Sequence, residues 1–295
     1  MGHVFRKQIK EGEQALKEVM QLGLASIAED LIEKIMRNAR NSTPSTILDS
    51  IKGVQGSGIS FYKNNLLMAM SVIANEAVKQ ARKEIPKASK VKLAETDLFD
   101  GDIKFATTKT VDTTLFNTLP SPIKKRVKSA ADLLVDTQIN DLEKAIFFQF
   151  GSSAKSTDSM RQLEFEVKES SIDFIEGNSI AGGASVTAAN TVNESRNAFF
   201  MDSDVLDEID AFQFVNGDPV TQICTDLDGT IFEKNDPDMF KYTPPLHYNC
   251  RSGIIPILKG DLGKREINKL QSKYDDQIQF SEIEPACKHC SKHFN

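Results

Sequence analysis

The chain has 295 residues, of which 40% are hydrophobic, 26% charged and 7% aromatic, with 16 glycines and 10 prolines. These proportions belong to a globular protein of one or two domains and exclude a chain disordered throughout, a collagen-like repeat and a small disulfide scaffold. The formal net charge of -6, from 36 Lys+Arg against 42 Asp+Glu, argues against a surface that coats nucleic acid along its whole length, while leaving room for local basic patches.

The uncharged, hydrophobic stretch Asn64 to Asn75 is well short of the roughly 20 residues needed to cross a bilayer, so no membrane anchor is expected. Arg6, Lys7, Lys10, Glu11, Glu13, Lys17 and Glu18 stand where a secretory signal would carry its apolar run. The expectation is a chain that stays in the compartment where it is made.

In chain order, Leu16, Met20, Leu24, Ile27, Leu31 and Ile35 recur at helical spacing and predict a helix over residues 5–40, bent at Gly23. Asn41-Ser42-Thr43-Pro44 stops it, and Gly53, Gly56 and Gly58 predict a loop before a second helix, Tyr62 to Glu84. Residues 79–92 carry Lys79, Arg82, Lys83, Lys87, Lys90 and Lys92 against Glu84 alone. Cations near a helix C-terminus need no ligand to explain them, although phosphates or an acidic partner would also suit. Residues 95–119 read as a linker or small hairpin with a short strand at Ile103 to Ala106.

Pro120-Ser121-Pro122 opens a helix of about 30 residues, roughly 45 Å long at 1.5 Å per residue, with Ile123, Val127, Ala131, Leu134, Val135, Ile139, Leu142, Ile146 and Phe150 on its inner side. Another helix is predicted from a Thr157 cap through Met160, Leu163, Val167, Ser171 and Phe174 to Gly177. Gly182-Gly183 is read as a joint before a further helix from Ser185 to Phe200. After residue 205, Ile209 to Val215 alternates as a strand, Thr230 to Phe232 and Ser252 to Leu258 give two more, and a polar helix is expected at 261–274. The fold class is therefore α+β: an elongated, mainly helical region over 1–150, a module of helices and a short antiparallel sheet over 151–260, and a polar tail over 261–295.

All four cysteines, Cys224, Cys250, Cys287 and Cys290, lie in the last quarter together with His247, His289 and His293. Without a targeting segment for an oxidising compartment, metal ligation or catalysis explains such clustering better than disulfides do. Asp228-Gly229 is a turn requiring glycine's positive φ, and Pro244-Pro245 stiffens the approach to His247-x2-Cys250, whose side chains meet at one knuckle suited to Zn²⁺. The remaining ligands are open: Cys287-x2-Cys290 supplies a second knuckle, and Cys224 is the rival fourth ligand. The alternative is a packed turn of reduced thiols with a hydrogen-bonded His247. Arg251 is expected to brace the turn on carbonyls or on Asp226 or Asp228, with phosphate binding as the alternative.

The block Asp218, Thr221, Cys224, Leu227, Asp228, Gly229, followed by Pro244, Pro245, His247, Cys250 and Arg251, resembles the signature of the Mu F-like family of phage minor head proteins, the head morphogenesis proteins. With the helix Ala188 to Asn197, similar to that family's Thr and Arg helix, the resemblance covers residues 185–258. Two positions depart from it. Thr221 stands where many members have the first cysteine of a Cys-x2-Cys pair, and Asn190 stands where an arginine often precedes the helix threonine.

The resemblance implies a non-enzymatic minor structural protein of a virion, inside the phage head near the portal and in the host cytoplasm during assembly, acting in head morphogenesis and DNA packaging or ejection. Its partners would be the portal and other head proteins, with a possible homo-oligomer on the portal. Basic segments 79–92 and 124–128 would touch packaged DNA without reading its sequence. Two alternatives stand beside this. One is a papain-like cysteine hydrolase or acyl-transfer enzyme with Cys224 as nucleophile, His247 as base and Asp228 as orienter. The other is a zinc-dependent nucleic-acid-binding protein.

Overall fold

A computed structural model describes residues 2–39, 57–85, 114–153, 159–217, 221–247 and 250–261. Four long helices and one of intermediate length make up most of it: α1 (Gly2–Ala39), α2 (Ser57–Glu84), α4 (Ser121–Ser153), α5 (Met160–Glu176) and α6 (Asn178–Phe200). Short helices α3 (Thr114–Thr118), α7 (Ser203–Leu206), α8 (Gln222–Leu227) and α9 (Pro237–Lys241) punctuate the rest. Strands β1 (Ile209–Val215), β2 (Ile231–Glu233) and β3 (Gly253–Leu258) form an antiparallel sheet in the order β2-β1-β3. The α+β class expected from the sequence is what the chain adopts.

The helical stripes bury as their spacing predicts. Leu16, Met20, Leu24, Ile27, Leu31 and Ile35 of α1 and Ile123, Val127, Ala131, Val135, Ile139, Leu142, Ile146 and Phe150 of α4 all enter one core. That core continues through Ala184, Ala188, Val192 and Phe200 of α6 to Phe212, Phe214 and Ile254 of the sheet, without a break at residue 150. α6 lies against both α1 and α2, which makes it the element that joins the helical region to the sheet.

Several details differ from the sequence reading. α1 runs unbroken through Gly23, and the glycine serves a close approach: a Cβ there would lie 2.1 Å from the Tyr62 ring. Tyr62 is fully buried and its hydroxyl donates to Gln138, whose amide in turn reaches the Met20 sulfur at 3.4 Å. Gly182-Gly183 is no joint, because α6 continues through it from Asn178, held by packing on both sides of the pair. Residues 114–118, expected to be irregular, form α3, with Leu115 buried against the bundle. α5 begins at Met160 after Ser159. The predicted Thr157 cap, the 41–56 loop, the 103–106 strand, the 262–274 part of the polar helix and the Cys287–Cys290 tail lie outside the described residues. Among the described residues no helix is long and apolar enough to cross a membrane.

Candidate metal centre

The centre is built where the two sequence blocks meet. β1 ends at Val215, and Asn216-Gly217 follows. The Gly217 N–H donates to the Ser252 hydroxyl at 3.2 Å, and a Cβ on Gly217 would fall 2.0 Å from the Arg251 carbonyl oxygen. Only glycine lets these two backbones approach so closely, so the exit of β1 and the entry of β3 are stitched together. The chain then forms α8, whose buried side presents Ile223, Cys224 and Leu227. Its end is the expected turn: Gly229 has φ 78 and its N–H donates to the Phe214 carbonyl at 3.0 Å. Asp228 accepts the Asn216 N–H at 2.8 Å, which ties the turn to the end of β1.

The second block descends through a cis Pro244–Pro245 bond and buried Leu246 to His247, and a backbone bond of 3.1 Å from Cys250 N–H to the His247 carbonyl closes the knuckle. α6 supports it with a row of polar side chains. Asn197 donates to the Pro244 carbonyl at 2.7 Å, Asn193 to the Cys250 carbonyl at 3.4 Å, and Arg196 to the Ile254 carbonyl at 3.3 Å. Spacing of three and four residues puts these donors on one helix face.

Three ligand atoms converge as a result. The Cys224 sulfur lies 3.1 Å from His247 Nε2 and 4.0 Å from the Cys250 sulfur, and the ligand atoms of all three residues lie within 4.8 Å of one another. Cys224 and Cys250 are buried thiols and His247 is half-buried. The Cys224 thiol is held down to about 4, first by the bond it accepts from Cys250 and then by His247, Ser252 and Thr221, against the opposing effect of burial. The same bond and burial push the Cys250 thiol up. These opposite shifts favour one proton shared between the two sulfurs, which lie 4.0 Å apart with either able to donate.

This donor set can hold a metal ion. Thiolate is the metal-binding form of cysteine, and a bound dication takes the place of the shared proton. Zn–S near 2.3 Å and Zn–N near 2.0–2.1 Å put the sulfurs of a tetrahedral site about 3.8 Å apart and sulfur from nitrogen about 3.6 Å. The sulfur pair at 4.0 Å matches this spacing, while the Cys224–His247 separation of 3.1 Å is that of a hydrogen bond, about half an ångström tighter.

Of the predicted ligands, Cys224, His247 and Cys250 come together in a group that could hold a metal ion. Cys287 and Cys290 lie outside the described residues. Arg251 has a different partner from the one expected. It donates to Glu13 at 3.1 Å and to the Ser185 hydroxyl, not to Asp226 or Asp228, because the side chain crosses to α1 and α6 instead of folding back on its own turn. Asp226 accepts from Gln222 at 2.6 Å, and Asp228 serves Asn216 instead of orienting His247. The sequence reading places Arg196 only within the helix Ala188 to Asn197 and gives it no partner; the structure buries it, and the polar neighbours Glu194, Ser195 and Asn197 leave no local signal for that burial. In the basic segments, Lys79 pairs with Glu76 at 3.0 Å and Lys124 donates to the Asn117 carbonyl at 2.7 Å, so two of these cations have protein partners.

Comparison with protein-family models, with curated proteins and with solved structures finds no match for this chain.

Proposed function

We propose that the chain is a minor head protein of a bacteriophage, associated with the portal, and that its Cys224–His247–Cys250 centre is a zinc site stiffening the module that docks. The observation that carries this reading is the meeting of two separated sequence blocks, which together resemble the Mu F-like signature, in one knuckle seated on α6. A module braced in this way suits docking, and helices as long as α1, with 38 residues or about 57 Å at 1.5 Å per residue, suit reach along a portal. In this reading the partners are the portal and other head proteins, with packaged DNA touched electrostatically, and the setting is the virion interior. The test is mass spectrometry of purified particles together with a cryo-EM map of the portal vertex. The chain is expected in particles in few copies; its absence from particles while abundant in the infected-cell lysate overturns the proposal. Metal analysis of protein purified without chelator is expected to find zinc, and a ratio near zero removes that part.

A second reading, acyl transfer by Cys224 with His247 as base, is favoured by their 3.1 Å contact and by the lowered Cys224 thiol. Weighing against it, Cys224 is only 2% exposed, and Asp228 is bonded to a backbone N–H away from the imidazole. A hydrolase activity lost in Cys224→Ala, in particles that still assemble, would favour this reading over the first.

A further inference from the structure

A fourth polar atom stands against the cysteine–histidine cluster. The Thr221 hydroxyl lies 3.0 Å from His247 Nε2, the same imidazole nitrogen that stands 3.1 Å from the Cys224 sulfur. Thr221 is the residue before α8 and precedes Cys224 by about one helical turn, so both side chains rise from the same end of that helix. Cys224 and Cys250 close the inner side of the cluster, whereas Thr221 is exposed and His247 half-buried, so the remaining side faces outward. A protonated alcohol is a weak ligand for a borderline-soft dication. Sites with three strong protein ligands keep the fourth position for water or an incoming group.

We infer that a metal ion held by Cys224, His247 and Cys250 retains an exchangeable fourth coordination position beside Thr221, and that this position accepts one external thiolate. The inference rests on the metal reading above and extends it, making the centre a socket for a cysteine supplied from elsewhere instead of a closed knuckle. The donor chemistry follows from the set present: two thiolates and one imidazole plus a third thiolate complete a Cys₃His site, a standard structural zinc arrangement. Cys287 and Cys290 of the same chain are one source, and a cysteine of a second polypeptide is the other.

The test uses the full chain, stripped of metal and reloaded with Co²⁺, whose charge-transfer absorption reports the number of thiolates and whose ligand-field bands report the coordination. In a Cys287→Ser/Cys290→Ser double variant, cobalt is expected on two thiolates, and titration with 2-mercaptoethanol is expected to add a third and shift the bands. Adding Thr221→Cys to that background puts the third thiolate in place and abolishes the response, while Thr221→Val keeps it. Three thiolates in the wild type assign the donor to the tail, and two assign it to another polypeptide. Four thiolates in the wild type, no cobalt bound by the double variant, or a double-variant spectrum insensitive to the thiol would each overturn the inference. None of these readings depends on whether the chain is found in particles, so the failure of one proposal is distinguishable from the failure of the other.

Discussion

Arg196 and Glu84 form a two-bond ion pair inside the protein: the guanidinium donates to both carboxylate oxygens at 2.9 Å, with the side chains 3% and 8% exposed. The same guanidinium lies 5.2 Å over the Phe200 ring and reaches the Ile254 carbonyl, so one side chain links the end of α2, the interior of α6 and the start of β3. Removing one partner leaves the other charge buried without compensation, which costs about 3–5 kcal/mol, whereas replacing both by apolar residues recovers much of the loss. Arg196→Met is therefore expected to lower the urea midpoint strongly, and Arg196→Met/Glu84→Leu to lower it less than the single variant does. A double variant no better than the single one would show that the pair is not the cause.

Gly23 and Gly182 are both interior helical glycines, yet alanine is expected to act in opposite directions at the two. Alanine is favoured over glycine in a helix by roughly 0.5–1 kcal/mol. At Gly182 nothing lies within 4 Å of a new Cβ, so that gain is realised and thermal stability rises. At Gly23 the Cβ would lie 2.1 Å from a Tyr62 ring that is buried and tied to Gln138, so overpacking at about 1–3 kcal/mol outweighs the gain and stability falls. Thermal unfolding of the two variants checks the signs.

In the metal-free protein the thiol pair gives stability a pH dependence. Cys224 is lowered from 9.0 to about 4 by the bond from Cys250, and Cys250 is raised by that bond and by burial. Between about pH 4 and pH 9 the folded pair binds one proton fewer than the unfolded pair, so its contribution grows as pH rises and is lost as pH falls toward 4. Above about pH 9 the unfolded chain releases both protons while the folded pair keeps one, and the slope reverses. Denaturant midpoints of stripped wild type minus Cys224→Ser, taken across this range, should rise and then turn over. A flat difference would show that no thiolate is held.

Asn197 touches no ligand atom but holds the Pro244 carbonyl at 2.7 Å, and so the descent to His247. Groups that orient metal ligands from one layer out typically change affinity about 10–100-fold when removed. Asn197→Ala is expected to weaken zinc binding by about 10-fold and to cost about 1 kcal/mol of stability. Competition with a chromogenic chelator gives the affinity, and an unchanged value would remove Asn197 from the positioning of the site.

Much of this protein is local and hence legible from its residues. The stripes Leu16 to Ile35 and Ile123 to Phe150 declare helices because burial recurs with the helical period, and Asp228-Gly229 declares a turn because Gly229 needs a positive φ. The closeness of His247 to Cys250 was legible for the same reason, since two residues between them suffice to form a knuckle. Tertiary structure alone decided which partners those groups would have. Glu13 lies 238 positions from Arg251 in the chain, and nothing in their local sequence distinguishes it from the nearer Asp226 and Asp228. Gly182-Gly183 reads as a break by propensity, but packing along α6 outweighs a cost of about 1 kcal/mol per glycine. Cys224 joins His247 across 23 positions of chain, with the turn that ends α8 tied to Phe214 of β1 and to Asn216 just beyond it, a long-range arrangement that no spacing encodes. Periodicity and turn chemistry act over a few residues and are written in the sequence, while pairing across the fold depends on which surfaces the core brings together.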